Sequence, residues 1–505
     1  MAKEKKQEFV THITPRDEDF SQWYTDVILK TELCDYAPVR GCMIVRPYGY
    51  AIWERIQAEM DKRFKETGHQ NVYFPMLIPE SLLLKEAEHV EGFAPEVAWV
   101  TQGGTEKLQE RLAVRPTSET IFCTMYAKWV QTWRDLPMKY NQWCSVMRWE
   151  KATRPFLRTS EFLWQEGHTI HATAEEAQEE TMQMLHVYQE VAENVMALPV
   201  YVGQKSEKEK FAGARATYSM EAMMQDGKAL QAGTSHFLGQ NFAKSANISF
   251  VNKNNQQEYA YTSSWGVSTR LIGGVIMTHA DDEGMVVPPK IAPYQIVIVP
   301  VIKNDADEDT VMEYIKGLQK ELLRQAPFGE KIRIKIDKRD RKSVDKFWEW
   351  TRKGAPVILE IGPRDVAEDN VMVKERLRLG TPEGKTVVKR DEFVRTVAER
   401  LEKLQKEMFA KARARLEKNV RIDIKTKKEF EEYFANSNVW IEEGKAGKVA
   451  FVRGKWSGDP NSEELLKAMK ITIRCIPFDQ SGTKGECLLT GKQDAEIDVI
   501  YARSY

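Results

Sequence analysis

Hydrophobic and polar positions alternate in a regular way through the middle of the chain. The apolar stretches YQIVIVPVI (294–302) and APVILEIG (355–362) have the length of buried strands, and KIRIKID (331–337) alternates like a strand with one buried face. Amphipathic stretches with a helical period lie between them, near 307–325 and 341–353. Strands that alternate with helices predict a small α/β domain with a mostly parallel sheet.

The period changes after residue 391. Apolar residues spaced three and four apart, with Lys and Arg between them, predict one long amphipathic helix. These residues are Val394, Val397, Leu401, Leu404 and Met408. The strand-like stretches KVAFVRG, ITIRCIP and DVIYARSY follow, which indicates a last domain with its own sheet.

The first part of the chain, residues 1–287, is rich in Met and in Trp and other aromatic residues. It ends at VVPPKIAPYQ, where three closely spaced prolines indicate a linker. A chain of 505 residues suggests about three domains. We therefore expect one domain at 1–287, a second at 288–400, and a linker helix with a third domain at 401–505.

Composition restricts the class of protein and leaves its function open. Apolar residues make up 42% of the chain, and its longest apolar run is far shorter than the roughly 20 residues that span a bilayer. The six cysteines show no disulfide-framework spacing, and the charged opening MAKEKKQEF does not resemble a signal peptide. We expect reduced thiols, a cytoplasmic location and no membrane contact. Because the net charge is −1, local basic patches would have to hold a nucleic acid.

The sequence offers no glycine-rich phosphate cradle. GTPEGKT (380–386) lacks one residue of the P-loop spacing and is not followed by a helical pattern, so it is interpreted as a plain turn. No G-x-G-x-x-G follows a strand. A bound nucleotide would therefore have to be held by arginines.

Charged residues of that kind occur in VMRWEKATRPFLRTSEFLWQEGH (146–168). Arg148 and Glu150 stand two apart in an apolar strand and so share a face, and Arg158 follows in a loop. Alternate positions then carry Trp164, Glu166 and His168. Buried charges are costly unless they are paired or bound to a ligand. The alternatives are a ligand site and a structural ion-pair network.

A metal site is a further possibility for the same stretch. His168 and His171 form a His-x-x-His pair with Glu166 and Glu175 nearby. In a strand that runs into a helix, this spacing does not place the side chains together. We therefore predict no metal ligands here.

Two further clusters each have a plain structural alternative. In AVRPTSETIF (113–122), Thr117 and Glu119 could hold a cationic amine, or Thr117 or Ser118 could simply cap a helix. In YTSSWGVSTRLIGGVIMTH (261–279), Arg270 opens an apolar helix. Its planar guanidinium could bind a phosphate, or it could lie in solvent.

Together these sequence motifs resemble those of a known family. RWE…FLR is similar to motif 2 of class II aminoacyl-tRNA synthetases, SWGVSTR to motif 3, and GCMIVRPYGYAIWERIQ (41–57) to motif 1, the dimer-interface strand and helix. RPTSET, FLRTSEFLWQEGH and GTSHFLGQNF (233–242) resemble the prolyl-tRNA synthetases of archaeal/eukaryotic-like type. The resemblance covers essentially the whole chain.

The resemblance implies a role for each matching residue. Arg148 would bridge the α-phosphate and the amino acid carboxylate, and with Arg270 it would be catalytic. The residues implied for ATP are Arg148, Glu150, Arg158, Gln231, Thr234 and Arg270. Those implied for proline are Thr117, Glu119, Arg148, Trp164, Glu166, His168, His236, Ser264 and Gly266.

The family also implies the fold and the reaction. The fold would be α/β, with an α+β catalytic domain built on an antiparallel sheet flanked by helices, an α/β anticodon-binding domain and a small C-terminal α+β domain. A cytoplasmic homodimer would activate L-proline with ATP and Mg²⁺ and transfer it to the 3′ end of tRNA(Pro). The basic segment KIRIKIDKRDRK (331–342) could contact tRNA phosphates, or it could be a solvated strand and loop.

Two rival functions remain open. One is a non-catalytic class II paralogue that binds RNA or a protein partner. Such a paralogue would be expected to have lost charged residues of motifs 2 and 3, but Arg148, Arg158 and Arg270 are present here. The other is a threonyl or histidyl specificity, against which RPTSET and FLWQEGH argue. The stretch between Arg158 and Arg270 is too short for the large editing insertion of the other prolyl branch.

The last domain departs from its relatives at the zinc site. Many members of this branch hold zinc there on four cysteines, and the corresponding positions here are Ser457, Ser462, Cys487 and Thr490. Hydroxyls are poor zinc ligands beside thiolates, and Cys475 lies outside the pattern. We therefore predict a zinc-free domain in which hydrogen bonds replace the metal.

Overall fold

A computed structural model describes residues 13–89, 97–302, 304–442 and 449–505. The charged opening MAKEKKQEF lies outside these residues. The helices are α1 (Phe20–Lys30), α2 (Pro47–Glu66), α3 (Glu80–His89), α4 (Glu119–Trp129), α5 (Ala174–Glu190), α6 (Asn241–Ala246), α7 (Arg270–His279), α8 (Asp305–Leu322), α9 (Ser343–Arg352), α10 (Pro363–Glu368), α11 (Arg390–Lys418), α12 (Lys427–Glu442) and α13 (Glu464–Met469). Within the described ranges, no helix is long and apolar enough to cross a membrane.

The strands fall into one large sheet and several smaller ones. They are β1 (Cys34–Tyr36), β2 (Met43–Val45), β3 (Gln70–Asn71), β4 (Leu77–Pro79), β5 (Trp99–Gly103), β6 (Glu106–Val114), β7 (Met138–Met147), β8 (Glu161–His171), β9 (Val200–Gln204), β10 (Ala216–Met223), β11 (Ala229–Gly239), β12 (Ser249–Val251), β13 (Gln257–Tyr259), β14 (Tyr261–Ser268), β15 (Ile296–Pro300), β16 (Ile334–Ile336), β17 (Val357–Ile361), β18 (Asn370–Glu375), β19 (Lys385–Lys389), β20 (Val420–Arg421), β21 (Phe451–Trp456), β22 (Thr472–Pro477) and β23 (Ile497–Ala502). The described residues form two compact units, one from within the ranges 1–35, 45–52 and 279–408, the other from within the ranges 36–44, 53–278 and 409–505.

The second unit is built on an 11-stranded sheet in the order β20-β21-β23-β22-β9-β10-β11-β14-β8-β7-β3. All neighbours from β21 to β7 run antiparallel, and only the two edge pairs are parallel. Helix α5 packs against β11 and β14 with Met184, Leu185 and Tyr188 buried. Its first turn is capped by Thr173, whose side chain accepts a hydrogen bond from the backbone N–H of Glu176. The expected antiparallel sheet flanked by helices is confirmed.

The first unit contains a five-stranded sheet in the order β16-β15-β17-β18-β19. Strand β15 pairs in parallel with β16 and β17, as expected, but β17–β18 and β18–β19 are antiparallel. The sheet is therefore mixed rather than mostly parallel, because the chain returns after β17 through the short helix α10, which cannot supply a full parallel crossover. On the apolar stripe of α11, Val397, Leu401 and Leu404 are buried against this sheet, as the helical period predicts.

Two sequence interpretations can be assessed directly. GTPEGKT forms a short turn, Pro382–Gly384, followed by β19 rather than a helix, so the plain-turn interpretation is confirmed. The expectation that Arg148 and Glu150 lie within a strand is wrong, because β7 ends at Met147. Arg148 still donates its backbone N–H to the carbonyl of Ser160 at 2.8 Å, so pairing continues for one residue before the chain turns away.

Candidate active site

A cavity of about 500 Å³ opens on the large sheet of the second unit. Every residue that the sequence singled out for ATP or proline lines it: Thr117, Glu119, Arg148, Glu150, Arg158, Trp164, Glu166, His168, Gln231, Thr234, His236, Ser264, Gly266 and Arg270. These residues come from loops, strands and the first turns of two helices, spread over more than 150 positions of the chain. The fold therefore brings together side chains that the sequence relates only by motif.

Strand register explains much of this convergence. On β14, Ser264 pairs with His168 of β8 and with His236 of β11. The neighbouring Gly266 pairs with Glu166 and Thr234 in the same way. Paired residues on adjacent strands project from the same face of a sheet. The cavity floor is therefore two rows of side chains that cross three strands.

Gly266 makes room for an aromatic wall. A Cβ atom at this position would lie 2.8 Å from the Cζ2 atom of Trp164 and 3.1 Å from the carbonyl oxygen of Gln165. Contacts this close are not sustained between real atoms, so a larger residue would displace the indole. The glycine is required by the approach of Trp164 and not by its own backbone conformation.

A buried carboxylate anchors one end of the cavity. Glu166 accepts hydrogen bonds from the amide of Gln142 at 2.9 Å, from Nε2 of His168 at 3.1 Å, and from both the backbone N–H (3.2 Å) and the hydroxyl of Ser118. Burial alone would raise the pKa of Glu166, but the hydrogen bond and charge of His168 with the other donors lower it to about 2. Glu166 is therefore a carboxylate, and its donors fix it in place.

His168 is the cationic partner of this carboxylate. Its imidazole stacks on Phe122 with ring centroids 4.2 Å apart. Burial would lower its pKa, but the hydrogen bond to Glu166 and the negative charge of Glu119 raise it. Close by, Thr117 donates its hydroxyl to the Glu119 carboxylate. This end of the cavity thus combines two carboxylates with one cationic ring.

Helix α4 begins at Glu119, with Ser118 at the capping position. The Ser118 side chain makes no capping hydrogen bond and donates to Glu166 instead. The capping alternative for this motif is therefore wrong for Ser118. The helix start serves to place Thr117 and Glu119 at the cavity.

The pKa of His236 is shifted in the opposite direction from that of His168. Burial, together with the positive charge of His168, lowers its pKa to about 3, so the ring is neutral at physiological pH. Its Nδ1 is hydrogen-bonded to the hydroxyl of Thr217 at 2.9 Å, and Phe211 packs on it at 4.7 Å between ring centroids. One cationic and one neutral imidazole therefore face the same pocket.

Three arginines occupy the other end. Arg148 donates Nε to the carbonyl of Pro116 at 3.0 Å and lies over Trp164 at 5.3 Å from the ring centroid. Arg270 donates Nε to the carbonyl of Leu157 at 3.0 Å and Nη1 to the carbonyl of Gln231 at 3.3 Å. The solvent alternative for Arg270 is wrong, because this side chain is held inside the cavity wall.

These arginines repel one another. Burial and the positive charges of Arg148 and Arg158 lower the pKa of Arg270 to about 10. Burial also lowers the pKa of Arg148, against the opposing effect of Glu119 and Glu166. A Glu150 carboxylate oxygen lies 4.0 Å from Nε of Arg158. A cluster of this kind is suited to an anion with several negative charges.

Several buried polar atoms at the cavity have no hydrogen-bond partner among the described residues. They include Nε1 of Trp164 and Oγ of Ser264. Buried donors without partners cost stability, and a bound ligand can satisfy them. Both atoms belong to residues that the sequence assigned to the amino acid pocket.

The His-x-x-His metal alternative is not supported by the geometry. His168 and His171 stand three apart on β8 and so project from opposite faces, and His171 bonds the hydroxyl of Thr169 through Nε2 at 2.8 Å. In the ranges that the structure describes, no three His, Cys, Asp or Glu residues are grouped as metal ligands.

Sequence reasoning missed several residues in the cavity wall and behind it. Gln142 could have been found by register, because it pairs with Glu166 across β7 and β8. A loop whose sequence is mostly charged also lines the cavity, through Lys205, Glu209 and Phe211. Nothing in the local pattern of that loop indicates a pocket wall.

The four positions expected to have lost zinc lie in the turns that follow β21 and precede β23. The thiol of Cys487 donates to Oγ of Ser457 at 3.6 Å. Burial raises its pKa, but hydrogen bonds with Thr490 and Ser457 outweigh this and lower it. Ser462 instead donates to the carbonyl of Asp459 at 2.6 Å and accepts from the indole of Trp456 at 2.9 Å.

Comparison with known proteins matches three regions of the chain to family models. Residues 99–279 match the tRNA synthetase class II core domain (G, H, P, S and T), residues 295–400 an anticodon binding domain, and residues 443–505 the prolyl-tRNA synthetase C-terminal domain.

Full-length relatives agree with these matches. The chain is 54% identical to a proline–tRNA ligase of Alkaliphilus oremlandii and 52% identical to proline–tRNA ligase 2 of Clostridioides difficile, each over 100% of both chains. It is similar in structure to a prolyl-tRNA synthetase from Cryptosporidium parvum complexed with halofuginone and AMPPNP. The TM-score is 0.87 and the identity 37%, over 99% of this chain and 98% of that one.

Proposed function

The chain belongs to the class II prolyl-tRNA synthetases, which join proline to tRNA at the expense of ATP, and we propose how the cavity residues divide this reaction among them. The observation that carries the assignment is the polarity of the cavity. Three mutually repelling arginines form one end, and a buried carboxylate–imidazole pair walled by aromatic rings forms the other.

Proline occupies the carboxylate end in this proposal. Its secondary ammonium is held by Glu119 and the hydroxyl of Thr117, and its ring lies between Trp164 and the imidazoles of His168 and His236. Gly266 and Ser264 form the floor beneath it. The support is that these side chains share one pocket, and that the Ser264 hydroxyl and the Trp164 indole are buried with no partner in the described residues.

ATP occupies the arginine end. Arg158 and Arg270 bind the outer phosphates, Arg148 bridges the α-phosphate and the proline carboxylate, and Glu150, Gln231 and Thr234 contact the remainder of the nucleotide. An anion that carries several charges relieves the repulsion that lowers the pKa of Arg270. Arg148 belongs to the arginine end but lies over Trp164 and is within reach of the charges of Glu119 and Glu166, which fits a residue that contacts both substrates.

The chemistry then needs no nucleophile from the protein. A carboxylate oxygen of proline attacks the α-phosphorus, the bond to the β-phosphate oxygen breaks, and pyrophosphate leaves as prolyl-adenylate forms. Negative charge develops between the two substrates, where the guanidinium of Arg148 is already placed. In the second step the terminal hydroxyl of tRNA(Pro) attacks the activated carbonyl and AMP leaves.

Mg²⁺ accompanies ATP in this class. It takes oxygen ligands and commonly binds through a few carboxylates together with substrate phosphates. Glu209 is exposed at the cavity and could supply such an oxygen. When bound, the ion would neutralise phosphate charge that the arginines do not reach.

The remaining features of the enzyme are proposals from the family. We assign the catalytic domain to 1–287, the anticodon-binding domain to 288–400, and the linker helix with the C-terminal domain to 401–505. We propose a cytoplasmic homodimer that uses the motif 1 segment 41–57, where Ile44 and Tyr50 are exposed apolar side chains. We further propose that this enzyme lacks the large editing insertion and that its C-terminal domain binds no zinc.

Exchange of pyrophosphate into ATP, measured with each amino acid in turn, tests the assignment. Exchange is expected with proline and, to a weaker degree, with alanine or cysteine. Exchange with threonine or histidine would indicate a different specificity. No exchange with any amino acid, from a protein that still binds RNA, would indicate a non-catalytic paralogue.

A further inference from the structure

A buried ion-pair cluster lies beside the cavity and is not used by the chemistry above. Its centre is Glu221 on β10, whose side chain is fully buried. One carboxylate oxygen accepts from Nζ of Lys205 at 2.7 Å and from the hydroxyl of Ser219 at 2.9 Å. The other accepts from Nε and Nη2 of Arg474 at 3.0 and 2.8 Å.

Arg474 comes from β22, among the strands near the end of the chain. Arg474 holds Lys205 in two ways. Its guanidinium binds the same Glu221 carboxylate as the ammonium group of Lys205, and its backbone carbonyl accepts a hydrogen bond from Nζ of Lys205 at 2.6 Å. Strand β22 also pairs with β9 next to Lys205, where Ile476 faces Gln204. Lys205 is therefore fixed by one residue that is distant from it in sequence.

Lys205 begins the loop 205–212, which walls the cavity through Lys205, Glu209, Phe211 and Ala212. The same C-terminal strands and turns hold this loop at two further points. The hydroxyl of Ser206 donates to Glu463 at 2.7 Å, and Lys208 pairs with Glu464 at 2.6 Å. The loop thus rests on residues 463–474 rather than on its own sheet alone.

The far end of the loop reaches the amino acid pocket. Phe211 donates its backbone N–H to the hydroxyl of Thr217 at 2.9 Å, and that hydroxyl also bonds Nδ1 of His236. The Phe211 ring packs on the His236 imidazole. A shift of the loop would therefore be passed to His236 by direct contact.

We propose that Arg474 is a positioning residue for the proline pocket: through Glu221 and Lys205 it holds the loop 205–212 so that Phe211 keeps His236 in place. Arginine suits this role because its planar fork engages one carboxylate oxygen with two N–H groups while its main chain binds Lys205. The inference rests on the assignment of His236 to the proline pocket.

The test compares Arg474→Met with the wild type in proline-dependent pyrophosphate exchange. Removal of the guanidinium leaves Lys205 as the sole cation on Glu221, which is then no longer anchored to β22 through Arg474, so the loop loses one of its supports. We expect the KM for proline to rise about tenfold, with a smaller change in kcat and little change in the KM for ATP. Arg474→Lys keeps the charge but loses the fork, and is expected to raise the KM for proline less.

Arg503→Met is the matched control. Arg503 is also a buried arginine near the end of the chain, but its guanidinium bonds only Phe434, Ser437 and Asn438 on and beside α12 in the described residues. Its loss is expected to lower the Tm without changing the KM for proline. An equal rise of that KM in Arg503→Met would show that general destabilisation is responsible and would overturn the proposal.

Two further outcomes separate this inference from the site assignment. His236→Ala should raise the KM for proline if His236 belongs to the pocket. If it does so while both Arg474 variants leave the KM for proline unchanged, the positioning role is wrong and the pocket stands. If His236→Ala has no effect, the assignment of the pocket itself is wrong. Arg474→Lys, which perturbs the cluster least, gives a usable measurement even if Arg474→Met does not fold.

Discussion

Nε2 of His168 lies 3.1 Å from Oε2 of Glu166, two residues earlier on the same strand, and both side chains are almost completely buried. Each group holds the other in its charged form, against the effect of burial on both pKa values. This pair sets the electrostatic character of the carboxylate end of the cavity.

Replacement of Glu166 by Gln should weaken proline binding. The neutral amide no longer supports a charged His168, whose pKa falls, and a charge-assisted hydrogen bond worth about 1.5–3 kcal/mol is lost. We expect the KM for proline in pyrophosphate exchange to rise at least about tenfold. Glu161→Gln, an exposed change on the same strand, is the control. An unchanged KM for proline in Glu166→Gln would contradict the role of the pair.

Replacement of Arg270 by Gln should remove activity without loss of stability. Removal of one electrostatic donor from a reacting site costs about 10²–10³ in rate. Because Arg270 is buried and repelled by Arg148 and Arg158, its neutral replacement should leave the Tm unchanged or higher. Arg134→Gln, an exposed arginine, serves as the control in both measurements. A large fall in Tm with normal exchange would show that Arg270 is only structural.

Stability should fall as the pH drops below about 6.5. Burial lowers the pKa of His236 to about 3 and that of His171 to about 4, so both stay neutral in the folded protein while the unfolded chain takes up their protons. Each therefore costs the folded state about 1.4 kcal/mol per pH unit between the two pKa values.

His168 affects the pH dependence of stability in the opposite direction. Its raised pKa contributes stability that is fully present below about 6.5 and is lost as the pH rises through the folded value, so it does not offset the fall below that pH. His171→Gln, measured by Tm across this range, should show a shallower fall than the wild type. Parallel curves for the two proteins would contradict the assignment of a neutral His171.

The C-terminal domain should fold without zinc. Ser457 and Thr490 bond Cys487, and Ser462 is engaged by Trp456 and Asp459, so hydrogen bonds engage all four positions at which the family resemblance implies metal ligands. We expect purified protein to contain no stoichiometric zinc by atomic emission, and a chelator to leave its Tm unchanged. Ser462→Ala should cost about 1–3 kcal/mol by leaving the buried Trp456 indole without its acceptor. Stoichiometric zinc, with unfolding on chelation, would refute this prediction.

The enzyme should charge alanine at a measurable rate and fail to remove it. A pocket shaped for proline separates a smaller amino acid by only about 1–3 kcal/mol per methylene. Because we propose that the stretch between Arg158 and Arg270 carries no editing insertion, Ala-tRNA(Pro) added to the pure protein should be hydrolysed no faster than in buffer. Prolyl-tRNA(Pro) is the matched control substrate. Rapid hydrolysis of the alanyl form alone would contradict the prediction.

Local patterns predicted the elements better than the connections between them. The helix that contains Val397 and Leu401 and the strand at 357–361 are where the hydrophobic period places them. The antiparallel half of the small sheet was missed, because pairing direction depends on the connection after β17 and not on the residues of either strand. The end of β7 at Met147 could not be predicted from the sequence either. Apolar positions continue to Trp149, and the residue at which a strand ends depends on its pairing with a neighbouring strand.

The sequence by itself determined the kinds of residue in the site, because arginines, carboxylates and histidines among apolar residues must pair with one another or bind a ligand. Only the tertiary structure decided what each of them does there. The strand register places Gln142 beside Glu166, so Glu166 is the carboxylate that this amide holds. The proximity of the three arginines lowers the pKa of Arg270. The loop 205–212 became a pocket wall because Arg474, distant in sequence, holds Lys205. Charge interactions and buried contacts depend on distance in space, and a linear pattern does not contain that distance.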